Sequence, residues 1–274
     1  MKLETRACLL AHPAKHSLSP AMHNAALEFL GIAARYEARD VPPEHLSAAL
    51  NDLRGSSLWG VNLSIPHKEA ALELVDSISL EARAIGAINT VVNRDGLLHG
   101  LNTDAPGFLA SLKEAGCKVA GLNVMVLGAG GAARGVAWAL QQAGANVNIW
   151  NRSTDRARQL CDEFGLNLVI DSELEQQVKS ADLLVNTTSV GLENPLESPL
   201  QPRILPQSGW VCDIVYRPLE TKLLADARVA GLTPIDGLGM LVHQGALALE
   251  AWTGRQAPVD VMRHAALEQL NIKL

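Results

Sequence analysis

The chain is short of long apolar runs, of positive charge and of cysteine, and each shortage excludes a class of protein. No run of about 18 uncharged apolar residues occurs, so no membrane-spanning helix is expected. The net charge is −6 and no basic patch contains interleaved aromatic residues, which argues against nucleic acid as a partner. Cys8, Cys117, Cys161 and Cys212 form no CxxC pair and lack zinc-ligand spacing. We therefore expect buried, reduced thiols and no metal site.

What the sequence does contain is enough apolar material for the cores of two domains. Its 274 residues are 48% hydrophobic and 19% charged, as in a soluble globular protein. Glu4 and Arg6 interrupt what would be the apolar part of a signal peptide, so we expect a cytoplasmic protein. The oligomeric state stays open between monomer and homodimer.

Short apolar runs alternate with amphipathic stretches, which is typical of an α/β fold with mainly parallel strands. In the first half, this pattern predicts strands at 7–11, 34–39 and 58–63 and helices at 20–30, 43–53 and 66–74. Residues 88–104 are different, because two apolar runs flank a turn at Asp95-Gly96 and predict a hairpin. Asp104 then stands where the N-cap of the next helix is expected.

The second half predicts a regular alternation of strands and helices. Strands are predicted at 123–127, 146–150, 167–170, 183–186 and 210–216, and helices at 132–143, 221–230, 240–254 and 258–271, with two more that end at Phe164 and Ser180. The first strand and helix are joined by a glycine-rich turn.

This turn, in "VMVLGAGGAARGVAWAL", predicts a dinucleotide-binding site. It contains Gly128, Ala129, Gly130, Gly131 and Ala132. Glycines let the backbone approach a pyrophosphate, and the start of the following helix offers free N–H groups and the positive end of its dipole. A strand before the turn, a helix after it and a second strand complete the expected pattern.

The residues that follow the second strand favour NADP over NAD. NAD-binding versions of this unit carry an acidic residue there, whereas this chain has Asn151 followed by Arg152, Ser153, Thr154 and Arg156. Guanidinium groups bind phosphate oxygens through paired hydrogen bonds, which suits a 2′-phosphate. The alternative is a solvated pair of surface arginines beside Asp155.

Polar side chains follow several strands of the first half. Ser17 and Ser19 follow the first strand, Asn62, Ser64 and Lys68 lie at the end of the third, and Asn89, Thr90, Asn102, Thr103 and Asp104 flank the hairpin. Ligands of open α/β sheets bind at the carboxyl ends of strands, so these groups predict a site for a small polyhydroxylated acid. The alternative is that they are helix caps, with Ser19 as an N-cap and Lys68 as a solvated lysine.

An ordered series of motifs extends over the whole chain. It comprises "HSLSP" (16–20), "GVNLSIPHK" (60–68), "IGAINT" (85–90), "GLNTDAPGF" (100–108), "VLGAGGAAR" (126–134), "WNRS" (150–153), "LVNTTSVG" (184–191), "CDIVYRPLET" (212–221) and "DGLGMLVHQGALA" (236–248). With this series the chain resembles the shikimate dehydrogenase family, whose members reduce 3-dehydroshikimate to shikimate with NADP on the route to aromatic amino acids. The resemblance implies a substrate-binding catalytic domain at 1–104, a Rossmann-type NADP-binding domain at 105–236 and C-terminal helices at 237–274 that return to the first domain.

The resemblance also assigns roles to individual residues. Family serines that hold the substrate carboxylate correspond to Ser17 and Ser19, and the catalytic lysine and aspartate correspond to Lys68 and Asp104. His67 is the alternative acid/base, and we favour Lys68. Lys68 would stabilise charge on the ketone oxygen and deliver a proton to it.

Further residues are implied to line the substrate and cofactor sites. Asn89 and Gln244 would hold ring hydroxyls, Asn62 and Ser64 would shape the pocket, and Tyr216 would line the substrate or cofactor pocket. The implied cofactor contacts are Gly128, Ala129, Gly130, Gly131, Ala132, Asn151, Arg152, Ser153, Thr154, Arg156, Thr188, Ile214, Gly237 and Met240. Two other functions stay open: an NAD-dependent quinate/shikimate dehydrogenase, and a non-catalytic protein of this fold that senses a nucleotide or metabolite.

Overall fold

The computed structural model describes residues 3–15 and 17–272, and the chain divides into two units. The first comprises Met1–Gly107 and Val242–Leu274, and the second comprises Phe108–Leu241. The first unit is therefore assembled from two separate segments of the chain. The domain limits drawn from the sequence fall a few residues before these divisions, and their functional labels stay predictions.

The first unit contains a six-stranded sheet with one strand reversed. Its strands are β1 (Glu4–Ala11), β2 (Ala34–Asp40), β3 (Gly60–Leu63), β4 (Ser77–Ile78), β5 (Thr90–Arg94) and β6 (Leu97–Leu101). Their order is β2-β1-β3-β5-β6-β4, and β5 runs antiparallel to both of its neighbours while the other pairs are parallel. The predicted hairpin is confirmed, with Asp95 and Gly96 both at positive φ in its turn.

The described part of residues 1–103 forms four α-helices, of which the first has its predicted length and the second and third are shorter than the sequence predicts. They are α1 (Ser19–Phe29), α2 (Leu46–Arg54), α3 (His67–Ala70) and α4 (Leu80–Ile85). The predicted helices 43–53 and 66–74 each include a 3₁₀ turn, at Pro43–His45 and at Ala71–Leu74. Neither β4 nor α4 was predicted.

Apolar spacing explains how α2 packs. Leu46, Leu50 and Leu53 recur at helical spacing and are 1–2% exposed, so one face of the helix is buried. They join a core with Leu63 of β3 and Leu98 of β6. Burying a leucine side chain contributes roughly 1.5–3 kcal/mol, so this face holds α2 on the sheet.

The second unit is a doubly wound parallel sheet. After α5 (Asp104–Glu114), it comprises β7 (Asn123–Leu127), α6 (Gly131–Gln142), β8 (Asn146–Trp150), α7 (Thr154–Phe164), β9 (Asn167–Leu168), α8 (Asp171–Lys179), β10 (Leu183–Asn186), β11 (Trp210–Asp213), α9 (Lys222–Val229) and β12 (Thr233–Ile235). The strand order β12-β11-β10-β7-β8-β9 places the first strand beside the fourth, which is the arrangement of Rossmann-type sheets. The predicted α/β fold class is thus confirmed.

Two helices complete the chain, α10 (Leu238–Thr253) and α11 (Val259–Gln269). The divisions between the units fall within α5 and α10. Predicted strands 167–170 and 210–216 are shorter in the structure, and β12 was not predicted.

The cysteines agree with their prediction. All four are buried and none forms a disulfide. Burial raises the pKa of Cys8, Cys117 and Cys161 to about 11. Within the described part of the chain, no helix combines the length and hydropathy of a membrane span.

Candidate active site

The candidate site lies at one edge of the first sheet. Because β5 is reversed, it begins at the edge where β3 and β6 end. Asn62 of β3 pairs with Thr90, the first residue of β5, and Thr90 pairs with Leu101, the last residue of β6. The reversed strand therefore brings polar residues from three strand ends together.

Lys68 and Asp104 form an ion pair in this cluster. Lys68 lies on α3, Asp104 begins α5, and Lys68 Nζ lies 2.6 Å from Asp104 Oδ2. The two side chains are 18% and 8% exposed. The carbonyl oxygen of Lys68 accepts the N–H of Ile88 at 2.9 Å, which ties α3 to the segment before β5. Removing either partner would leave a charge largely buried and unpaired.

Asp104 is not the N-cap that the sequence predicts. α5 begins at Asp104 itself, and Asn102 Oδ1 accepts the N–H of Ala105 at 3.1 Å. Since Asn102 supplies the cap, the Asp104 carboxylate is left for side chains, with Oδ2 on Lys68 and Oδ1 2.9 Å from Asn89 Nδ2. A carboxylate at a helix N-terminus is also stabilised by the helix dipole.

Asn89 is the centre of the hydrogen-bond network. It is 2% exposed, and its amide nitrogen lies 2.9 Å from both Thr103 Oγ1 and Asp104 Oδ1 and 3.3 Å from Gln244 Oε1. Its amide oxygen accepts the N–H of Thr103 at 2.7 Å. Gln244 comes from α10, which approaches α5 closely: a Cβ on Gly107 would lie 2.7 Å from the Gln244 backbone nitrogen. Glycine at this position therefore sets where Gln244 enters the site.

Asn62 has little capacity left for a ligand. It is 5% exposed, and its Oδ1 accepts the Tyr36 hydroxyl at 2.8 Å. Its Nδ2 donates to the carbonyl oxygen of Asn89 at 3.2 Å and to Thr90 Oγ1 at 3.1 Å, which occupies both amide hydrogens. The half-buried hydroxyl of Ser64 differs, because it makes no hydrogen bond to any described residue.

Ser17, and not Ser19 as predicted, makes the side-chain contact with the start of α1. Ser19 is the first residue of α1, Leu18 precedes it as N-cap, and no side chain caps the helix there. Ser17 Oγ accepts the N–H of Ser19 at 3.2 Å, so Ser17 makes the contact with the start of the helix. The Ser19 side chain itself is buried, 6% exposed. His16 of the same motif lies outside the described residues.

His67 is buried away from the ion pair. It is 1% exposed, and its Nε2 lies 2.8 Å from the carbonyl oxygen of Val41. A carbonyl oxygen can only accept, so Nε2 carries a proton and donates it. This ring packs α3 against the segment after β2, whereas the neighbouring Lys68 contacts Asp104.

The glycine-rich turn of the second unit has the geometry of an anion site. It joins β7 to α6 through Gly128, Ala129, Gly130, Gly131 and Ala132. Gly128 has φ of 116°, and a Cβ there would lie 2.5 Å from Thr187 Oγ1. A Cβ on Gly130 would meet no atom within 4 Å, and no side chain caps α6. Open space above an uncapped helix N-terminus fits a pyrophosphate, which its free N–H groups would bind.

The segment after β8 presents unpaired positive charge. Asn151 Nδ2 donates to the carbonyl oxygen of Ser153 at 2.9 Å, which shapes the turn before Thr154 begins α7. Arg152 and Arg156 are exposed, and neither forms an ion pair with a described residue. This arrangement fits the 2′-phosphate of NADP.

A buried carboxylate organises the end of β10. Asn186 Oδ1 accepts the hydroxyl of Thr188 at 2.7 Å, and Asn186 Nδ2 donates to Asp213 Oδ1 at 3.0 Å. Asp213 also accepts the Thr221 hydroxyl at 2.7 Å and the Val215 N–H at 3.0 Å. Burial raises the pKa of Asp213 to about 6, although these hydrogen bonds oppose the shift.

The remaining predicted cofactor residues also belong to the second unit. A Cβ on Gly237 would lie 2.3 Å from the carbonyl oxygen of Ile214, and Met240 is 9% exposed. Tyr216 lies in this unit as well, and burial raises the pKa of its phenol. The other predicted substrate residues all belong to the first unit.

Sequence reasoning missed Tyr36 and His23, which lie beneath the site. Tyr36 occupies an inward position of β2, whose first residues alternate between buried and exposed, and that alternation was a usable signal. His23 follows the serine motif by a few residues but carries no signal for its stacking partner. Over residues 3–15 and 17–272, no group of three His, Cys, Asp or Glu side chains could hold a metal ion.

Comparison with known proteins identifies three consecutive family matches. Residues 9–91 match the shikimate dehydrogenase substrate binding domain, residues 110–196 match shikimate/quinate 5-dehydrogenase, and residues 237–267 match the shikimate 5′-dehydrogenase C-terminal domain.

Individual relatives match over nearly the full length. A shikimate dehydrogenase (NADP(+)) from Thermus thermophilus is 50% identical over 97% of this chain and 99% of that protein. One from Symbiobacterium thermophilum is 50% identical over 96% of this chain and 93% of that protein. The crystal structure of a shikimate 5-dehydrogenase from a second Thermus thermophilus strain, in complex with NADP(H) and shikimate, superposes with a TM-score of 0.92, at 49% identity, over 97% of this chain and 99% of that one.

Proposed function

The chain belongs to the shikimate dehydrogenase family, and from this premise we propose that it reversibly reduces 3-dehydroshikimate to shikimate with NADP, as an enzyme of the shikimate pathway. The observation that carries the proposal is the Lys68–Asp104 ion pair at 2.6 Å, held at a polar sheet edge by Asn89. A non-catalytic sensor would have no use for a largely buried acid/base pair, because such a pair is costly to desolvate.

Lys68 is the proposed proton donor. Bound NADPH supplies a hydride to the ketone carbon, and the electron pair of the C=O double bond moves to oxygen. The Lys68 ammonium stabilises the growing negative charge and transfers its proton to that oxygen, which becomes the product hydroxyl. Oxidation of shikimate runs through the same groups in reverse, with Lys68 accepting the proton.

Asp104 is the proposed partner that orients the lysine. Its carboxylate contacts Lys68 through Oδ2 and Asn89 through Oδ1, so the ammonium is held from a fixed point. A second lysine hydrogen remains available for substrate, because an ammonium has three donors. Because the lysine ammonium is already oriented before the substrate binds, less entropy is lost in reaching the transition state.

Substrate groups have matching partners in the first unit. The Ser17 and Ser19 hydroxyls are proposed to bind the carboxylate, and the unbonded Ser64 hydroxyl to bind the ring. Asn89 and Gln244 would contact ring hydroxyls. Tyr216, on the second unit, is proposed to line the substrate or cofactor pocket.

NADP is the proposed cofactor. The turn from Gly128 to Ala132 would hold the pyrophosphate, while Asn151, Arg152, Ser153, Thr154 and Arg156 would surround the adenosine 2′-phosphate. Thr188, Ile214, Gly237 and Met240 are proposed to contact the nicotinamide half. The exposed arginines favour NADP over the NAD-dependent quinate/shikimate alternative, because an acidic residue is absent where NAD would need one. We place the enzyme in the cytoplasm as a monomer or homodimer, without nucleic acid or membrane.

The decisive experiment is a steady-state assay of shikimate and quinate oxidation with NADP and with NAD. We expect shikimate with NADP to give the highest kcat/KM. Lys68→Met keeps the apolar stem and removes the ammonium, so kcat should fall roughly 10²–10⁴-fold while shikimate affinity changes little. Lys179→Met, which removes an exposed ion pair with Glu175, is the matched control and should retain full activity.

Asp104→Asn should lower kcat by a similar factor. The double variant should be little worse than either single variant, because groups that act as a unit are not additive. Near-normal turnover of a folded Lys68→Met protein would refute the proposed chemistry.

A further inference from the structure

Asn102 is held between two backbone segments of the candidate site. It follows β6 directly and is 7% exposed. Its Oδ1 accepts the N–H of Ala105 in the first turn of α5 at 3.1 Å, and its Nδ2 donates to the carbonyl oxygen of Ala87 at 3.0 Å. One amide side chain therefore fixes both the start of the helix that carries Asp104 and the segment that leads to Asn89.

The same two segments are also joined through Lys68. Its ammonium contacts Asp104 Oδ2 at 2.6 Å, and its backbone carbonyl oxygen accepts the N–H of Ile88 at 2.9 Å. The contacts thus form a closed ring, which leaves Lys68 by its side chain and returns to its backbone by way of Asp104 and Asn102. A buried polar network whose members are all satisfied rigidifies the groups in it. Asn102 is the member that links the helix start to the segment before β5.

We propose, on the basis of the proposed function, that Asn102 is a positioning residue that holds Asp104 in contact with the Lys68 ammonium. Its amide oxygen fixes the helix start on which Asp104 lies, and its amide nitrogen fixes the segment that presents Asn89. Asn89 Nδ2 lies 2.9 Å from Asp104 Oδ1, so the contacts of both carboxylate oxygens depend on the placement of Asn102. Proton transfer by Lys68 depends on this geometry, because an acid must lie within hydrogen-bond reach of the atom that it protonates.

A residue that only caps the helix would behave differently. Capping requires a side-chain oxygen that accepts a backbone N–H, and serine supplies one as well as asparagine does. Asparagine carries an amide donor on a second atom, and here that donor binds the carbonyl oxygen of Ala87, which is 0% exposed. Asn102→Ser keeps a capping oxygen on a shorter side chain and removes the amide donor. The variant therefore separates the two roles.

The first test is steady-state kinetics of Asn102→Ser. We expect kcat for shikimate oxidation to fall about tenfold, the usual effect of losing a buried hydrogen bond and leaving its partner unpaired, while KM for NADP stays unchanged. Ser79→Ala is the matched control, because Ser79 Oγ caps α4 in the same unit by accepting the N–H of Ala82, also at 3.1 Å. It should lower the unfolding midpoint and leave kcat unchanged. Normal kcat in Asn102→Ser would reduce Asn102 to a helix cap and overturn the proposal.

A second variant and a double-mutant cycle test the same point where Asn102→Ser is poorly folded. Asn102→Asp keeps the size and the capping oxygen but places an acceptor against the Ala87 carbonyl, so kcat should again fall at least about tenfold. Full activity of Asn102→Asp would contradict the proposal. In a Lys68→Met background, either change at Asn102 should alter kcat by less than about twofold, because groups that act as a unit are not additive. An undiminished tenfold loss there would show that Asn102 acts independently of Lys68, which the proposal forbids.

A spectroscopic test reports the position of Lys68 without any turnover. In protein labelled with ¹⁵N at lysine Nζ, an ammonium held in an ion pair exchanges its hydrogens with water more slowly than a solvated one, and Lys68→Met identifies its signal. We expect this signal to be resolved in wild type and in Ser79→Ala but broadened by exchange in Asn102→Ser.

The spectroscopic result also separates failure of this proposal from failure of the proposed function. An equally sharp Lys68 signal in Asn102→Ser, or no resolved signal in wild type, would overturn the positioning role. Wild-type protein that shows the expected signals but neither binds nor oxidises shikimate would overturn the proposed function, while the hold of Asn102 on the ion pair would stand.

Discussion

His23 should make the first unit lose stability as the pH falls below neutrality. Its ring is 0% exposed, and neither ring nitrogen has a hydrogen-bond partner among the described residues. Burial lowers the pKa of His23 from 6.5 to about 3. In the unfolded chain the imidazole is hydrated and binds a proton near its ordinary pKa, so acid favours the unfolded state.

The sign and size follow from proton linkage. The stability contributed by the neutral ring is complete above the unfolded pKa of 6.5 and is lost as the pH falls toward the folded pKa of about 3. Between these values the slope approaches 1.4 kcal/mol per pH unit, which gives about 2 kcal/mol at about pH 5. That is a large share of a typical unfolding free energy of roughly 5–15 kcal/mol.

The perturbation is His23→Phe, which keeps an aromatic ring against Tyr36 and removes the titrating group. Urea unfolding of both proteins from about pH 8 to about pH 5 should show wild type losing about 2 kcal/mol more than the variant. If the two units unfold in separate transitions, Leu50→Ala shows which transition belongs to the first unit. It opens a cavity in the core of that unit and should therefore shift only that transition.

Trp252→Phe is the control for disturbance of the same cluster. It removes an N–H that donates to the Val91 carbonyl at 3.1 Å but no titrating group, so its effect should be equal at every pH. The reasoning is refuted if the difference in unfolding free energy between wild type and His23→Phe does not change between about pH 8 and about pH 5. Such a result would mean that His23 binds protons equally well in the folded and the unfolded state.

Three further predictions concern the cofactor, the helix contact and the buried carboxylate. Arg152→Ala should raise KM for NADP roughly ten- to hundredfold and leave KM for NAD nearly unchanged, while an equal effect on both would contradict a 2′-phosphate contact. Gly107→Ala should raise KM for shikimate and lower the unfolding free energy by about 1–3 kcal/mol, because the new Cβ meets the Gln244 backbone. Gly55→Ala is the control and should change neither quantity, because the space around Gly55 is open. Steady-state kinetics measures KM, and calorimetry measures the stability. The folded pKa of Asp213 is about 6, above the ordinary 3.8, so the stability contributed by the protonated carboxyl is complete below about pH 3.8 and is lost as the pH rises through about 6. Over that range the wild type should lose about 3 kcal/mol of unfolding free energy relative to Asp213→Asn. A difference between the two proteins that does not change with pH in urea titrations would contradict the raised pKa.

The local sequence pattern was sufficient to predict the elements proposed to bind the cofactor and the polar residues at the strand ends. The strands 123–127, 146–150 and 183–186 were predicted at their observed limits, because buried parallel strands form short apolar runs between clear turn signals. The polar residues after the strands were found for a similar reason. Their position follows from chain order, and the reversal of β5 follows from a recognisable hairpin turn.

Contacts between distant residues were not predictable in the same way. Ser19 and Asp104 each had the right residue type for an N-cap, and in each case a neighbour, Ser17 or Asn102, made the local contact instead. The choice depends on which side chain is drawn into the buried network. The stack of His23 on Tyr36 depends likewise on the packing of α1 against β2, which no periodicity encodes.

The assembly of the first unit from two chain segments has a consequence for how the protein is made. Residues 108–241 are contiguous, so the second unit can fold as soon as it has left the ribosome. The first unit cannot be completed then, because Gln244 and Trp252 belong to the last segment to be synthesised. Until that segment arrives, the sheet of residues 4–101 lacks its contact with α10, and α1 lacks its contact with α11, so apolar surface is exposed to chaperones or to aggregation. A nascent chain arrested before Val242 should therefore contain a protease-resistant second unit and a protease-sensitive first segment.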